Sequence, residues 1–186
     1  MTLIALQTPG CYEIQFPSSR DLRGVFVKNY REDWFQTVSH SVHFVEEYFT
    51  ISRHGVLRGL HFQRPPHDLA KMVYCLRGEV MDVIVDLRRG SPRYGKYEIL
   101  TLNELNHSGI YLAPGIAHGF FVTGQEAILQ YKVTSYYDQA ADDGIRWDSV
   151  GVPWPDERPV ISDRDLQFVA LADFDSPFLF EQFEDV

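Results

Sequence analysis

The chain has 186 residues, 45% hydrophobic and 14% aromatic, enough to bury one sizeable core and in the range of a single domain spanning 1–186. With 26 acidic against 17 basic side chains the net charge is −9, which repels polyanions and argues against nucleic acid as a partner. The sequence has no apolar run of 18 residues and no leader pattern at Met1, so no membrane span is expected and the cytoplasm is the expected location.

The 13 Phe, 10 Tyr and 3 Trp suit strands and flat-ligand stacking better than a helical bundle. Short apolar or alternating runs between turn residues predict strands over 24–30, 42–52, 72–88, 95–102, 107–114, 118–124 and 127–137. Within 72–88, MVYCL and EVMDVIVDL flank Arg77-Gly78, which predicts a hairpin with Gly78 at positive φ. Helical pattern is confined to DWFQTVSH (33–40), with Asp33 near its start, and to a turn within 163–172. Many short strands with little helix predict an all-β fold, an antiparallel sandwich or small barrel. From residue 141 onward Asp, Pro and Trp without periodicity predict a segment wrapped over the barrel, ending in an acidic, aromatic tail, docked or free. Cys11 and Cys75 lie outside any C-x-x-C motif and read as reduced thiols.

Residues suited to chemistry gather in RDLRGVF (20–26), GVLRGLHFQ (55–63), LAPGIAHGFF (112–121) and LQYKVT (129–134). Inward-pointing polar residues from several strands would meet in one cavity. Asp82 and Asp86 share a face by the period-two rule, and Asp82 is expected to support His118 from behind. Phe120, Phe121, Trp147 and Trp154 are expected in the core, Arg88 and Arg89 on the surface, and His54, His67 and His107 in solvent.

The chain resembles the dTDP-4-dehydrorhamnose 3,5-epimerases from about residue 7 to residue 174. The matching motifs are D-x-R-G at 21–24, GVLRGLH at 55–61, Lys71, GEVMDVIVDLR at 78–88, SPRYGK at 91–96, AHGF at 117–120, YK-x-T at 131–134 and S-D-R-D at 162–165. The resemblance implies a cupin jelly roll, a homodimer and inversion of the carbons beside the 4-keto group of a dTDP-sugar, with no metal and no cofactor. It makes His61 the general base, Asp165 its orienting carboxylate and Tyr131 the acid on the opposite face. Lys71 and His118 match positions near the keto oxygen, Arg23 and Arg58 phosphate-binding positions, and Phe26 and Tyr137 aromatics around the nucleotide base. Gln63, Asp142 and Arg164 complete the implied substrate-binding set.

The chain also departs from the family pattern. Lys28 stands where the family commonly carries glutamate, and Glu46-Glu47-Tyr48 where it commonly carries Gln-x-Asn. These positions touch substrate in the family, so the sugar, the nucleotide or the number of carbons inverted is open. A metal-dependent cupin is the first rival, but its H-x-H pair is missing because Gln63 stands two residues after His61. The second rival, a non-catalytic sugar-nucleotide binder, would not need His61, Tyr131, Lys71 and Asp165 together.

Overall fold

Short strands with an apolar residue at every second position bury those residues by pairing into sheets and facing one sheet with another. That is the arrangement in the computed structural model, which describes residues 1–35, 38 and 42–180. In chain order the strands are β1 (Thr2–Ala5), β2 (Tyr12–Gln15), β3 (Ser18–Asp21), β4 (Gly24–Val27), β5 (Glu46–Arg53), β6 (Leu57–Gln63) and β7 (Lys71–Arg77). They continue as β8 (Glu79–Asp86), β9 (Tyr97–Asn103), β10 (Ser108–Leu112), β11 (Ile116–Val122), β12 (Glu126–Val133) and β13 (Asp142–Gly144). One antiparallel sheet runs β1-β2-β10-β7-β12-β5 and the other β13-β6-β11-β8-β9, while β3 and β4 form a separate two-stranded arm. Val73, Ile110 and Leu129 of the first sheet meet Ile84, Phe120 and Val122 of the second in the core. This is the expected all-β cupin-type jelly roll. No helix among the described residues is long and apolar enough to cross a membrane.

The hairpin expected at Arg77-Gly78 does not form. Gly78 has the expected positive φ, 79°, but β7 pairs with β10 and β12 while β8 pairs with β9 and β11. The glycine therefore turns the chain from one sheet to the other. A Cβ there would lie 1.8 Å from the Glu126 carbonyl oxygen, so close backbone approach requires glycine as much as φ does.

The helix expected over 33–40 is a 3₁₀ turn at Glu32–Phe35 where it is described, and Gln36, Thr37, Ser39 and His40 lie outside the described residues. The turn expected within 163–172 is helix α1 (Asp163–Leu166), capped by the Ser162 side chain, followed by a 3₁₀ turn at Leu171–Asp173. The C-terminal segment wraps as expected up to Phe180, and residues 181–186 of the tail lie outside the described residues. β13 extends the second sheet beside β6, and Phe174 and Phe178 pack on Phe62.

Arg88 is not a surface charge. It is buried with its guanidinium paired to Asp86 at 2.7 Å, and Ser91 Oγ donates to the same carboxylate; a buried arginine requires such a partner. Arg89 is exposed. Phe120 and Phe121 are core, whereas Trp147 and Trp154 are half-buried and pack edge to face against each other. His54 is exposed, but His67 and His107 are half-buried.

One irregularity aims the site. Between β6 and β11 the register runs His61↔His118 and then Arg58↔Phe120, so three steps on β6 face two on β11. The extra residue is a bulge at Gly59 and Leu60 that puts Arg58 and His61 on one face, which strict alternation would separate. Gly59 has φ 131°, and a Cβ on it would meet Gly119 Cα at 2.5 Å. Gly59→Ala should cost at least ~1–2 kcal/mol from the backbone alone and lower turnover by misplacing His61, as read by thermal melting and an epimerase assay. Unchanged melting and turnover would show that the bulge does not aim the site.

Candidate active site

Between the two sheets lies a cavity of about 400 Å³, the size of a small-molecule site. On one wall β5 contributes Glu46, Tyr48 and Thr50 at two-residue steps, β12 contributes Tyr131, and β7 contributes Lys71. The other wall holds Arg58, His61 and Gln63 from β6 and His118 and Phe120 from β11. Tyr137, Asp142 and Arg164 also line the cavity, with Phe62, Leu69 and Val133 as apolar neighbours.

His61 Nε2 lies 2.9 Å from Asp165 Oδ2. Asp165 is only 2% exposed, and the Gly59 N–H donates to the same oxygen at 3.2 Å. Burial alone would raise this carboxyl, but His61, Gly59 and Ser162 outweigh it and hold the group well below the usual carboxylate range. For His61, burial lowers the pKa below 6.5; Asp165 opposes this, while Arg164 and Lys71 add to it. The ring is therefore neutral at pH 7, as a proton acceptor must be.

Burial also pushes the Lys71 ammonium down from 10.5 to about 8, with Asp142 and Asp82 restoring part of the loss. Its Nζ donates to the His61 carbonyl at 3.2 Å. His118 Nε2 contacts Asp82 Oδ2 at 2.8 Å, both residues being buried. Asp86 instead serves Arg88.

Tyr131 sits across the cavity from His61. Its ring stacks on Tyr48 with centroids 4.8 Å apart and planes at 12°, and meets His118 edge-on at 6.2 Å. Burial first and Tyr48 second raise its phenol pKa, so it stays protonated and can donate.

The remaining candidates divide between rim and arm. Glu46 accepts from the Tyr137 backbone N–H at 3.1 Å, and the Tyr137 hydroxyl reaches Asp142 at 3.3 Å. Gln63 spends its amide on His67 O, Tyr136 O and the Asp138 N–H, so it shapes the loop after β12. Arg58 Nε donates to Ser52 Oγ at 3.0 Å. Arg23, Phe26 and Lys28 do not line the cavity. They lie on or beside the β3–β4 arm, with the Arg23 side chain 90% exposed and paired to Asp21, and with Phe26 and Lys28 beside a shallow second hollow.

Sequence reasoning missed Thr50 and Phe168. Thr50 was reachable, because it stands two residues after Tyr48 on the same face of one strand. Phe168, whose ring meets His61 edge-on at 5.7 Å, sits in irregular chain and carries no local signal. Among the described residues no three His, Cys, Asp or Glu side chains converge on a point suited to a metal ion.

A family model described as dTDP-4-dehydrorhamnose 3,5-epimerase matches residues 5–173. The dTDP-4-dehydrorhamnose 3,5-epimerase of Shigella flexneri is 35% identical over 178 residues, covering 94% of this chain and 98% of the relative. The dTDP-4-dehydrorhamnose 3-epimerase of Streptomyces niveus is 37% identical over 176 residues, covering 93% of this chain and 85% of the relative. Among solved structures, the dTDP-6-deoxy-D-glucose-3,5-epimerase of Legionella pneumophila, in complex with dTDP-4-keto-L-rhamnose, superposes with a TM-score of 0.92 at 30% identity, covering 97% of this chain and 99% of that one. The chain belongs to the dTDP-4-dehydrorhamnose 3,5-epimerase family, sugar-nucleotide isomerases of deoxysugar biosynthesis.

Proposed function

We propose that the chain, acting as one cupin-type domain, inverts C3, C5 or both of a dTDP-4-keto-6-deoxyhexose by proton removal and return beside the C4 ketone. The observation that carries this reading is the placement of His61 and Tyr131 on facing sheets across one cavity. His61, oriented by Asp165, takes the proton. Lys71 donates to the ketone oxygen as it becomes an enolate, at roughly 3–4 kcal/mol for a good donor, and His118 lines the cavity beside it with its Nε2 on Asp82. Tyr131 returns a proton to the other face, which inverts the carbon. Turnover of dTDP-4-keto-6-deoxyglucose, followed by proton NMR, tests the reading; an unchanged spectrum at high enzyme concentration would contradict it.

The pH dependence has two limbs. His61 must be neutral, so kcat/KM should hold down to pH 6.5 and fall below it, because the His61 pKa is lowered. Lys71 must be charged, so kcat/KM should fall as pH rises through about 8. A profile flat from pH 6.5 to 9.5 would remove Lys71 as a charged donor.

The protein is taken to work as a homodimer in the cytoplasm. Arg23, Phe26 and Lys28 lie outside their own chain's cavity, on an arm that also exposes Leu22 and Val25; residues so placed reach a substrate only in the cavity of a second copy. Edge strand β5 exposes Phe49 and Ile51, an apolar surface suited to such contact. Arg23→Ala should raise KM by roughly tenfold, the size of one charge-assisted contact to phosphate, with little change in kcat. An unchanged KM, or a monomer by sedimentation, would contradict the shared site.

A further inference from the structure

One ring nitrogen of His61 has two partners that cannot both be satisfied. Asp165 Oδ2 lies 2.9 Å from Nε2, and Arg164 Nη2 lies 2.8 Å from the same atom. A protonated Nε2 donates to the carboxylate and turns its hydrogen on the guanidinium, whereas a bare Nε2 accepts from Arg164 and faces the carboxylate lone pairs. α1 is the source of the conflict, since consecutive residues of one turn bring a cation and an anion to the same atom.

We propose that Arg164 is a positioning residue that sets the His61 tautomer, masking the base in the empty enzyme and releasing it when a diphosphate arrives. The inference rests on His61 being the base. With Arg164 on Nε2, the neutral ring carries its proton on Nδ1, the only nitrogen left to take a proton from the sugar. Asp165 tolerates that state because the Gly59 N–H and the Arg164 Nε, at 3.1 Å, still satisfy it. With Arg164 withdrawn, Nε2 donates to Asp165 and Nδ1 is bare. The ring loses one proton to solvent at Nδ1 and gains one at Nε2, so its charge is unchanged.

Of the two partners, Arg164 is the one open to a ligand. Its side chain is 51% exposed at the cavity lining, against 3% for Asp165. It is held by the Asp142 and Asp165 carboxylates and by stacking over Phe168 at 5.6 Å, and a diphosphate offers a guanidinium more charge and two oxygens in a fork. The other charged groups near the ring leave Nε2 alone. Lys71 bonds the His61 carbonyl, Asp142 holds Arg164, and His118, the cross-strand neighbour, is taken by Asp82. Burial first, and the Arg164 charge after it, lower the His61 pKa.

Nitrogen NMR of the 15N-histidine-labelled full chain reads the tautomer directly. The free enzyme should show His61 protonated at Nδ1 and bare at Nε2, and saturating dTDP should reverse the two. Arg164→Gln, checked for folding by melting, should show the reversed state without dTDP. In deuterated water, dTDP should speed hydrogen exchange of free 4-keto-6-deoxyglucose by about tenfold in the wild type, a usual size for coupling between two ligands, and should not do so in Arg164→Gln. One tautomer in both free and dTDP-bound wild type, or equal stimulation in the variant, would overturn the proposal. Should the wild type epimerise its dTDP-sugar while His61 keeps one tautomer, only this inference fails; should it not epimerise at all, the functional reading fails with it.

Discussion

His61→Asn should lower epimer formation and solvent hydrogen exchange together by at least ~10²–10⁴-fold, the usual contribution of a placed base. The α-proton of a ketone is too weakly acidic for water to replace the base. Every other group stays in place: Lys71, His118, Arg58 and Arg164 still line the cavity. Affinity for dTDP, measured by calorimetry, should therefore stay close to wild type, which separates loss of chemistry from loss of the site. Retained turnover of more than a few per cent would remove His61 as the base.

Tyr131→Phe should split the reaction in two. The variant keeps the ring and its stack on Tyr48 and deletes only the hydroxyl. Proton removal by His61 continues, while return on the far face loses its donor and epimer formation falls by about 10²-fold or more. In deuterated water, label should enter substrate of unchanged configuration faster than epimer appears. Equal falls in exchange and epimerisation would mean that the hydroxyl is needed to form the enolate, and full activity would end the two-sided mechanism.

Most of the site was legible through the motifs that carry the family resemblance, and the period of two of strands adds to them. The alternating burial along β12 follows from its sequence and puts Tyr131 on the inner face. The same rule pairs Asp82 with the His118 side of β8. What failed was non-local. A positive-φ glycine after a strand looks the same whether the chain doubles back or crosses to the facing sheet, and the partners of β7 and β8 that decide this lie tens of residues away. Arg88 was misread for a related reason, since its burial depends on Asp86 and Ser91 folding around it. The bulge at Gly59 is visible only as a register between β6 and β11, and the contact of Arg164 with His61 joins residues 103 apart in sequence. Motif spacing identified which residues matter, but only the fold shows which atoms they compete for.

One cavity is proposed to remove a proton beside a ketone on one face and to return it on the other. Incubation of the wild-type protein with dTDP-4-keto-6-deoxyglucose in deuterated water, with deuterium read at each ring carbon by NMR, tests it directly. The account predicts deuterium at C3, C5 or both, with inverted configuration at each labelled carbon of the product and none at C2. Product or recovered substrate free of deuterium at C3 and C5 would contradict it.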